Sequence, residues 1–252
     1  MCIRDSPQIG QIFGKKNLFI LKSAQSAQSA NSFSSNLCNL WFLFFMSLVY
    51  YISHPDVVKD PAVPVPRWPL SERGRARMTA LLARPWVATL GAIYCSDEQK
   101  ALDGAGILAA HLGLTPIVLP ELGEVDRNST GWLPEEEHAA AARLLFARPD
   151  ESVRGWETAA RAQGRIVAAI EAIVRSAGEQ GGGGAGEIAI VAHGAVGTFY
   201  LCHLLGEPIS MTHAQPGRDG GHYYCFDGET RRLVHGWTRV EPPAFPPPLG
   251  EG

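Results

Sequence analysis

Short, almost entirely apolar runs separated by helical patterns constrain the fold of this chain more than any other feature. Such runs, with no polar residue on alternate positions, are typical of strands buried on both faces of a sheet. Because each is followed by a segment with helical periodicity, the strands are expected to be mostly parallel. The apolar runs lie at 47–53, 90–96, 115–120 and 188–192. We therefore predict an α/β fold, a three-layer α/β/α sandwich with a mostly parallel central sheet.

Helices are predicted between these strands, and a hairpin after them. Ser71 precedes a helical pattern and is a predicted N-cap. "GGHYYCFDGETRRLVHGWTRV" is typical of a β-hairpin that turns near Asp227 and Gly228. The predicted helices span 70–84, 97–114, 134–147, 152–178 and the residues after His193.

Composition divides the chain into three parts. Residues 1–45 are rich in Ser, Gln and Asn and lack periodicity, so we expect an extension that is not part of the folded unit. Residues 46–241 carry the strand–helix pattern, and the Pro-rich residues 242–252 are expected to be disordered. An alternative is a membrane anchor at 37–52, although this run is shorter than the roughly 20 residues that a spanning helix needs.

The charge of the chain bears on its partners, and its cysteine content bears on its cellular compartment. The net charge is -3, with no basic patch, which argues against nucleic-acid binding. Five cysteines are scattered without the spacing of a metal site or a disulfide framework, as expected for a reducing compartment. We predict a cytoplasmic protein without cofactor or metal, for which membrane binding is the minor alternative.

Two predicted strands end in histidine, His54 and His193, and a third ends near Ser96. The carboxyl ends of parallel strands are where open α/β sheets bind ligands. Acidic residues, Glu121 and Glu124, follow the strand at 115–120. An imidazole can attack phosphorus, a carboxylic acid can protonate the leaving oxygen, and a second imidazole can stabilise the transition state. This set of side chains favours phosphoryl transfer.

Several motifs, in order, resemble those of the histidine phosphatase family, also called phosphoglycerate mutase-like. They are "PLSERGRARM", "IYCSDEQKALDGAGILAAHLGL", "LGE" at 122–124, "DES" at 150–152 and "IAIVAHGAVGTFYLCHLLG". The resemblance covers roughly residues 46–206. It implies a phosphohistidine mechanism with His54 as nucleophile, His193 as the second histidine and Glu124 as general acid. Glu121 is a weaker candidate for the acid.

The chain departs from the family pattern at both arginines that would clamp the phosphate. Ser53 and Pro55 flank His54 where the family has arginine and glycine, and Lys100 stands for arginine in the S-x-x-x-R motif that begins at Ser96. A lysine supplies charge without the bidentate fork of arginine. The predicted substrate-binding residues are Ser53, Ser96, Lys100, Arg67 and Gly194.

Two functions follow from this pattern. The first is a phosphomonoester hydrolase, of full or weak activity, that acts through a phosphohistidine on His54 with a small-molecule phosphomonoester as its partner. The alternative is a catalytically impaired module of the same fold that only binds phosphate esters.

Overall fold

The computed structural model describes residues 48–179 and 186–241. Six strands form one sheet in the order β3-β2-β4-β1-β5-β6. The first four strands in that order run parallel, and β5 and β6 are antiparallel neighbours at one edge. The strands are β1 (Leu48–Ser53), β2 (Leu90–Cys95), β3 (Ile117–Val118), β4 (Glu187–Ala192), β5 (His222–Asp227) and β6 (Leu233–Arg239).

Within the described ranges, five α-helices accompany the sheet, and short 3-10 segments lie in the connections. The helices are α1 (Glu72–Leu81), α2 (Gln99–Leu112), α3 (Glu135–Ala147), α4 (Ala159–Glu179) and α5 (Gly194–Leu205). Ser71 caps α1 as predicted, because its side chain accepts the N–H of Gly74.

The core has two halves, one on each face of the sheet. Along β1, Val49 and Tyr51 belong to the half that contains α3, α4 and α5, whereas Tyr50 and Ile52 belong to the half that contains α1 and α2. Both halves are apolar, which is why β1 is continuously apolar rather than alternating. The predicted three-layer α/β/α fold with a mostly parallel sheet is therefore confirmed.

Two predicted elements are markedly shorter in the structure. The helix expected at 152–178 begins only at Ala159, because Arg154 (φ 56°) and Gly155 (φ 81°) adopt left-handed backbone that interrupts a helix. The strand expected at 115–120 is reduced to the two residues of β3, both largely exposed at the sheet edge. The predicted hairpin forms as β5 and β6.

Several predictions concern residues that the structure does not describe. The extension at 1–45 and the tail at 242–252 lie outside the described residues, as does most of the Gly-rich segment before β4. Of the apolar run at 37–52, only Leu48–Ile52 is described, and it belongs to β1. No helix within 48–179 or 186–241 is long and apolar enough to cross a membrane.

Candidate active site

The two histidines predicted from strand ends lie side by side. Neighbouring parallel strands β1 and β4 pair Ser53 with Ala192, and the N–H of His54 continues the ladder to the carbonyl of Ala192 at 3.0 Å. The next residue of each strand is therefore a histidine. The ring centroids of His54 and His193 are 5.3 Å apart, edge to face.

His54 is held in one tautomer by its neighbour. Its Nδ1 lies 2.8 Å from the carbonyl oxygen of Pro55. A carbonyl only accepts hydrogen bonds, so Nδ1 carries the proton and Nε2 keeps a lone pair. Burial and the charge of Lys100 lower the pKa of His54 to about 4, so the ring is neutral at pH 7. A neutral imidazole with a free Nε2 has the form that a nucleophile requires.

His193 is completely buried and is fixed from two sides. Its Nε2 lies 2.7 Å from Ser96 Oγ and 3.4 Å from Glu98 Oε1. The hydroxyl of Tyr51 donates to the carbonyl of His193 and accepts its N–H. Burial holds the pKa of His193 well below its usual value. Among the described residues, Nδ1 of His193 has no hydrogen-bond partner.

Glu124 lies on a separate loop, and its side chain reaches the N-terminus of α5. Its carboxylate accepts the N–H of Ala195 at 3.2 Å and of Val196 at 3.3 Å. It also accepts the N–H of Val125. Helix N-termini stabilise negative charge. The start of α5 at Gly194, a predicted substrate-binding residue, is therefore occupied by a carboxylate of the protein itself.

Glu98, which sequence reasoning missed, connects the parts of the site. One oxygen accepts the N–H of Glu124 at 2.8 Å, and the other binds the ammonium of Lys100. Burial opposes the charged form, but His193 and Lys100 outweigh it and lower the pKa of Glu98. The signal was present in the sequence, because Glu98 stands inside the S-x-x-x-R motif two residues before Lys100.

The residues at the motif arginine positions have their polar groups occupied. Lys100 is 3% exposed and donates to the carbonyl of Val65 at 3.0 Å as well as to Glu98. Ser53 is fully buried, and its hydroxyl donates to Gln215 Oε1 at 2.5 Å. Arg67 ends a short 3-10 segment, is exposed, and is not among the residues that line the cavities beside the site.

Two cavities adjoin the site. The larger, here called the His54 cavity, has a volume of about 1310 Å³, and its walls include His54, Glu124, Gly194 and Arg127. The smaller has about 790 Å³ and shares Glu124 and Arg127 with it. Within the described ranges, no group of three or more His, Cys, Asp or Glu residues could hold a metal ion.

The family model that matches this chain is that of the histidine phosphatase superfamily (branch 1), over residues 65–233. The chain belongs to this family. The match includes Ser96, Glu124 and His193, whereas His54 lies before its first residue. No curated protein sequence shows significant similarity to the chain.

Solved structures with similar folds include several that are described as phosphatases. A mycobacterial glucosyl-3-phosphoglycerate phosphatase superposes with a TM-score of 0.64 at 21% identity, covering 77% of this chain and 99% of its own. YhfR of Bacillus stearothermophilus gives 0.58 at 20%, covering 77% and 97%. The α-ribazole phosphatase of Shigella flexneri gives 0.56 at 17%, covering 77% and 97%. At these identities the similarity establishes the fold.

Proposed function

We propose that this protein hydrolyses phosphomonoesters through a phosphohistidine formed on His54. The observation that carries the proposal is the bond between His54 Nδ1 and the carbonyl of Pro55, which leaves Nε2 unprotonated on a residue that lines the His54 cavity. Family membership supports the same chemistry.

The proposed reaction has two steps. First, the lone pair of Nε2 forms a bond to phosphorus while the bond from phosphorus to the ester oxygen breaks, and the departing alkoxide takes a proton. Second, the oxygen of a water molecule forms a bond to phosphorus while the bond from phosphorus to Nε2 breaks, and the carboxylate of Glu124 takes the proton of the water, so that inorganic phosphate leaves and the neutral imidazole is restored. Glu124 shares the cavity with His54 and, in its protonated form, is the proposed proton donor to the leaving alcohol. His193, 5.3 Å from His54 between ring centroids, is the proposed second imidazole.

The relatives indicate the kind of substrate. One similar structure is described as a glucosyl-3-phosphoglycerate phosphatase in complex with inorganic phosphate, and another as an α-ribazole phosphatase. Both names denote small phosphorylated molecules. We propose a small-molecule phosphomonoester as substrate here, with no nucleic acid, metal or other cofactor required, in the cytoplasm.

The test is rapid-quench analysis of the full-length protein with a panel of phosphomonoesters. Acid-labile phosphate on His54 and release of inorganic phosphate are expected. His54→Ala is expected to abolish both, and His111→Ala, an exposed histidine on α2, serves as the matched control. Turnover that survives His54→Ala would exclude His54 as the nucleophile.

The second candidate is a module that binds phosphate esters without turnover. It is favoured by Ser53 and Lys100, whose polar groups are engaged within the protein rather than free for a phosphate. Calorimetric binding of the same esters without phosphate release or an adduct on His54 would support this candidate over the hydrolase.

A further inference from the structure

A phosphoryl group beside His54 needs a positively charged partner, because its charge must be stabilised in the complex and in the transition state. The positions that carry arginine in the family do not supply a free charge here. Ser53 is neutral, and the ammonium of Lys100 is bound by Glu98 and the carbonyl of Val65. The cation must therefore come from another part of the cavity wall.

Lys59 and three arginines line one or both cavities but are already paired with carboxylates, Lys59 with Glu135 at 3.8 Å. Arg73 binds Asp56 at 2.6 Å, Arg165 binds Glu157 at 2.8 Å, and Arg218 binds Glu135 at 2.8 Å. Each pair cancels most of the charge that a phosphate would meet.

Arg127 differs from these arginines. It lies three residues after Glu124, on the same loop, and lines both cavities. Within the described part of the chain, no carboxylate lies within 4.0 Å of its guanidinium nitrogens. Its positive charge also acts on His54 and His193, because it helps to lower the pKa of both rings.

The side chain that holds Arg127 is neutral. Its Nη1 donates to Nε2 of His138 on α3. Burial and Arg127 itself lower the pKa of His138 to about 4, so at pH 7 the imidazole accepts the bond without adding charge. A guanidinium has five N–H donors in a planar fork. One contact to a neutral ring orients that fork and leaves its charge uncompensated.

We propose that Arg127, oriented by His138, binds the phosphoryl group of the substrate in the His54 cavity in place of the family's two arginines. The inference rests on the proposed function for the identity of the ligand. It identifies a phosphate-binding residue on the loop after Glu124, a position that the motifs do not mark.

The experiment compares Arg127→Ala and Arg127→Lys with the parent in the full-length protein. Two quantities are measured: the affinity for inorganic phosphate, by calorimetry, and kcat/KM for the best ester of the panel. Arg127→Ala is expected to weaken phosphate binding at least tenfold, as the loss of a charged hydrogen bond implies. It is expected to lower kcat/KM by about 10²–10³, the usual effect of removing one donor to a transition-state anion.

Arg127→Lys is expected to recover part of both losses, because it restores the charge without the fork. The matched control is Arg143→Ala, an exposed arginine on α3, which should leave both quantities unchanged. Circular dichroism and thermal unfolding check that each variant is folded. If Arg127→Ala does not fold, the comparison of Arg127→Lys with the parent decides the question.

The outcomes separate this inference from the proposed function. If Arg127→Ala binds phosphate as tightly as the parent, Arg127 is not the phosphate-binding residue, even if His54 is the nucleophile. A parent protein without turnover that still loses phosphate binding in Arg127→Ala supports Arg127 and contradicts the hydrolase. Loss of phosphate binding in Arg73→Ala, with Arg127→Ala unaffected, would assign the role to Arg73, whose Nη2 is buried without a partner among the described residues.

Discussion

Lys100 stands where the family has its second arginine, but its surroundings are those of a buried ion pair. Among the described residues, the hydrogen-bond partners of its ammonium are Glu98 and the carbonyl of Val65, and its side chain is 3% exposed. Removing one member of such a pair leaves an uncompensated charge in the interior, which is costly, whereas removing both is much less so.

Lys100→Met is therefore expected to destabilise the protein by about 3–5 kcal/mol, because it leaves the carboxylate of Glu98 unpaired. The double variant Glu98→Gln with Lys100→Met should recover part of this loss, since the glutamine oxygen can still accept the N–H of Glu124. Urea unfolding at pH 7 measures both free energies.

An exposed ion pair provides the control for this comparison. Arg148 and Glu151 lie 3.2 Å apart with both side chains more than half exposed. Arg148→Met is expected to cost less than about 1 kcal/mol, as is usual for surface pairs. If the double variant at positions 98 and 100 is as unstable as Lys100→Met alone, the ion pair is not the source of the loss.

At the scale of elements, helix α1 supports the segment that follows His54. Ser71 caps the helix, and its N–H bonds the carbonyl of Asp56. The fully buried guanidinium of Arg77 binds Asp56, Glu241 and the carbonyl of Gly220. The "PLSERGRARM" motif thus anchors the loop on which Pro55 holds the ring of His54.

Gly74→Ala is expected to disturb this support. A Cβ at Gly74 would lie well inside van der Waals contact of the Asp56 carbonyl oxygen, which is backbone and cannot rotate away. Overpacking of this kind typically costs about 1–3 kcal/mol. The matched control is Gly106→Ala on α2, where no atom lies within 4 Å of the new methyl group, and which should stabilise by up to about 1 kcal/mol. Thermal unfolding measures the melting temperature of both variants. Equal melting temperatures would contradict the predicted clash between a Cβ at Gly74 and the carbonyl oxygen of Asp56.

The same elements explain how much the sequence could predict. Strands β1 and β4 were predictable because they are buried on both faces, and the meeting of His54 with His193 followed from their parallel register. The predicted start of α4 was wrong because the left-handed backbone at Arg154 depends on tertiary contacts, which leave no trace in the hydrophobic periodicity of the sequence. Arg127 was missed for a similar reason, since its position depends on how an irregular loop packs against His138 on α3.

At the scale of the whole molecule, several histidines of this protein are buried. His54, His138, His193 and His222 all have pKa values lowered by burial. In the unfolded chain, by contrast, a histidine titrates near its ordinary value of about 6.5. Between that value and the lower folded value, the unfolded state binds more protons than the folded state. Stability is therefore fully present above about pH 6.5 and is lost as the pH falls.

This difference predicts acid destabilisation that begins well above the range of the carboxylates. From pH 7.5 to 5.0, each histidine that stays neutral in the folded protein should lower the free energy of unfolding by about 1–2 kcal/mol. His138 allows a direct test, because its pKa falls to about 4 and its role as acceptor for Arg127 can be kept by glutamine. His138→Gln should lose less stability than the parent over this interval, by about 1–2 kcal/mol. Urea unfolding of the parent and of His138→Gln at pH 7.5 and pH 5.0 gives the loss of stability of each protein. Equal losses would show that His138 binds protons equally in the folded and unfolded states.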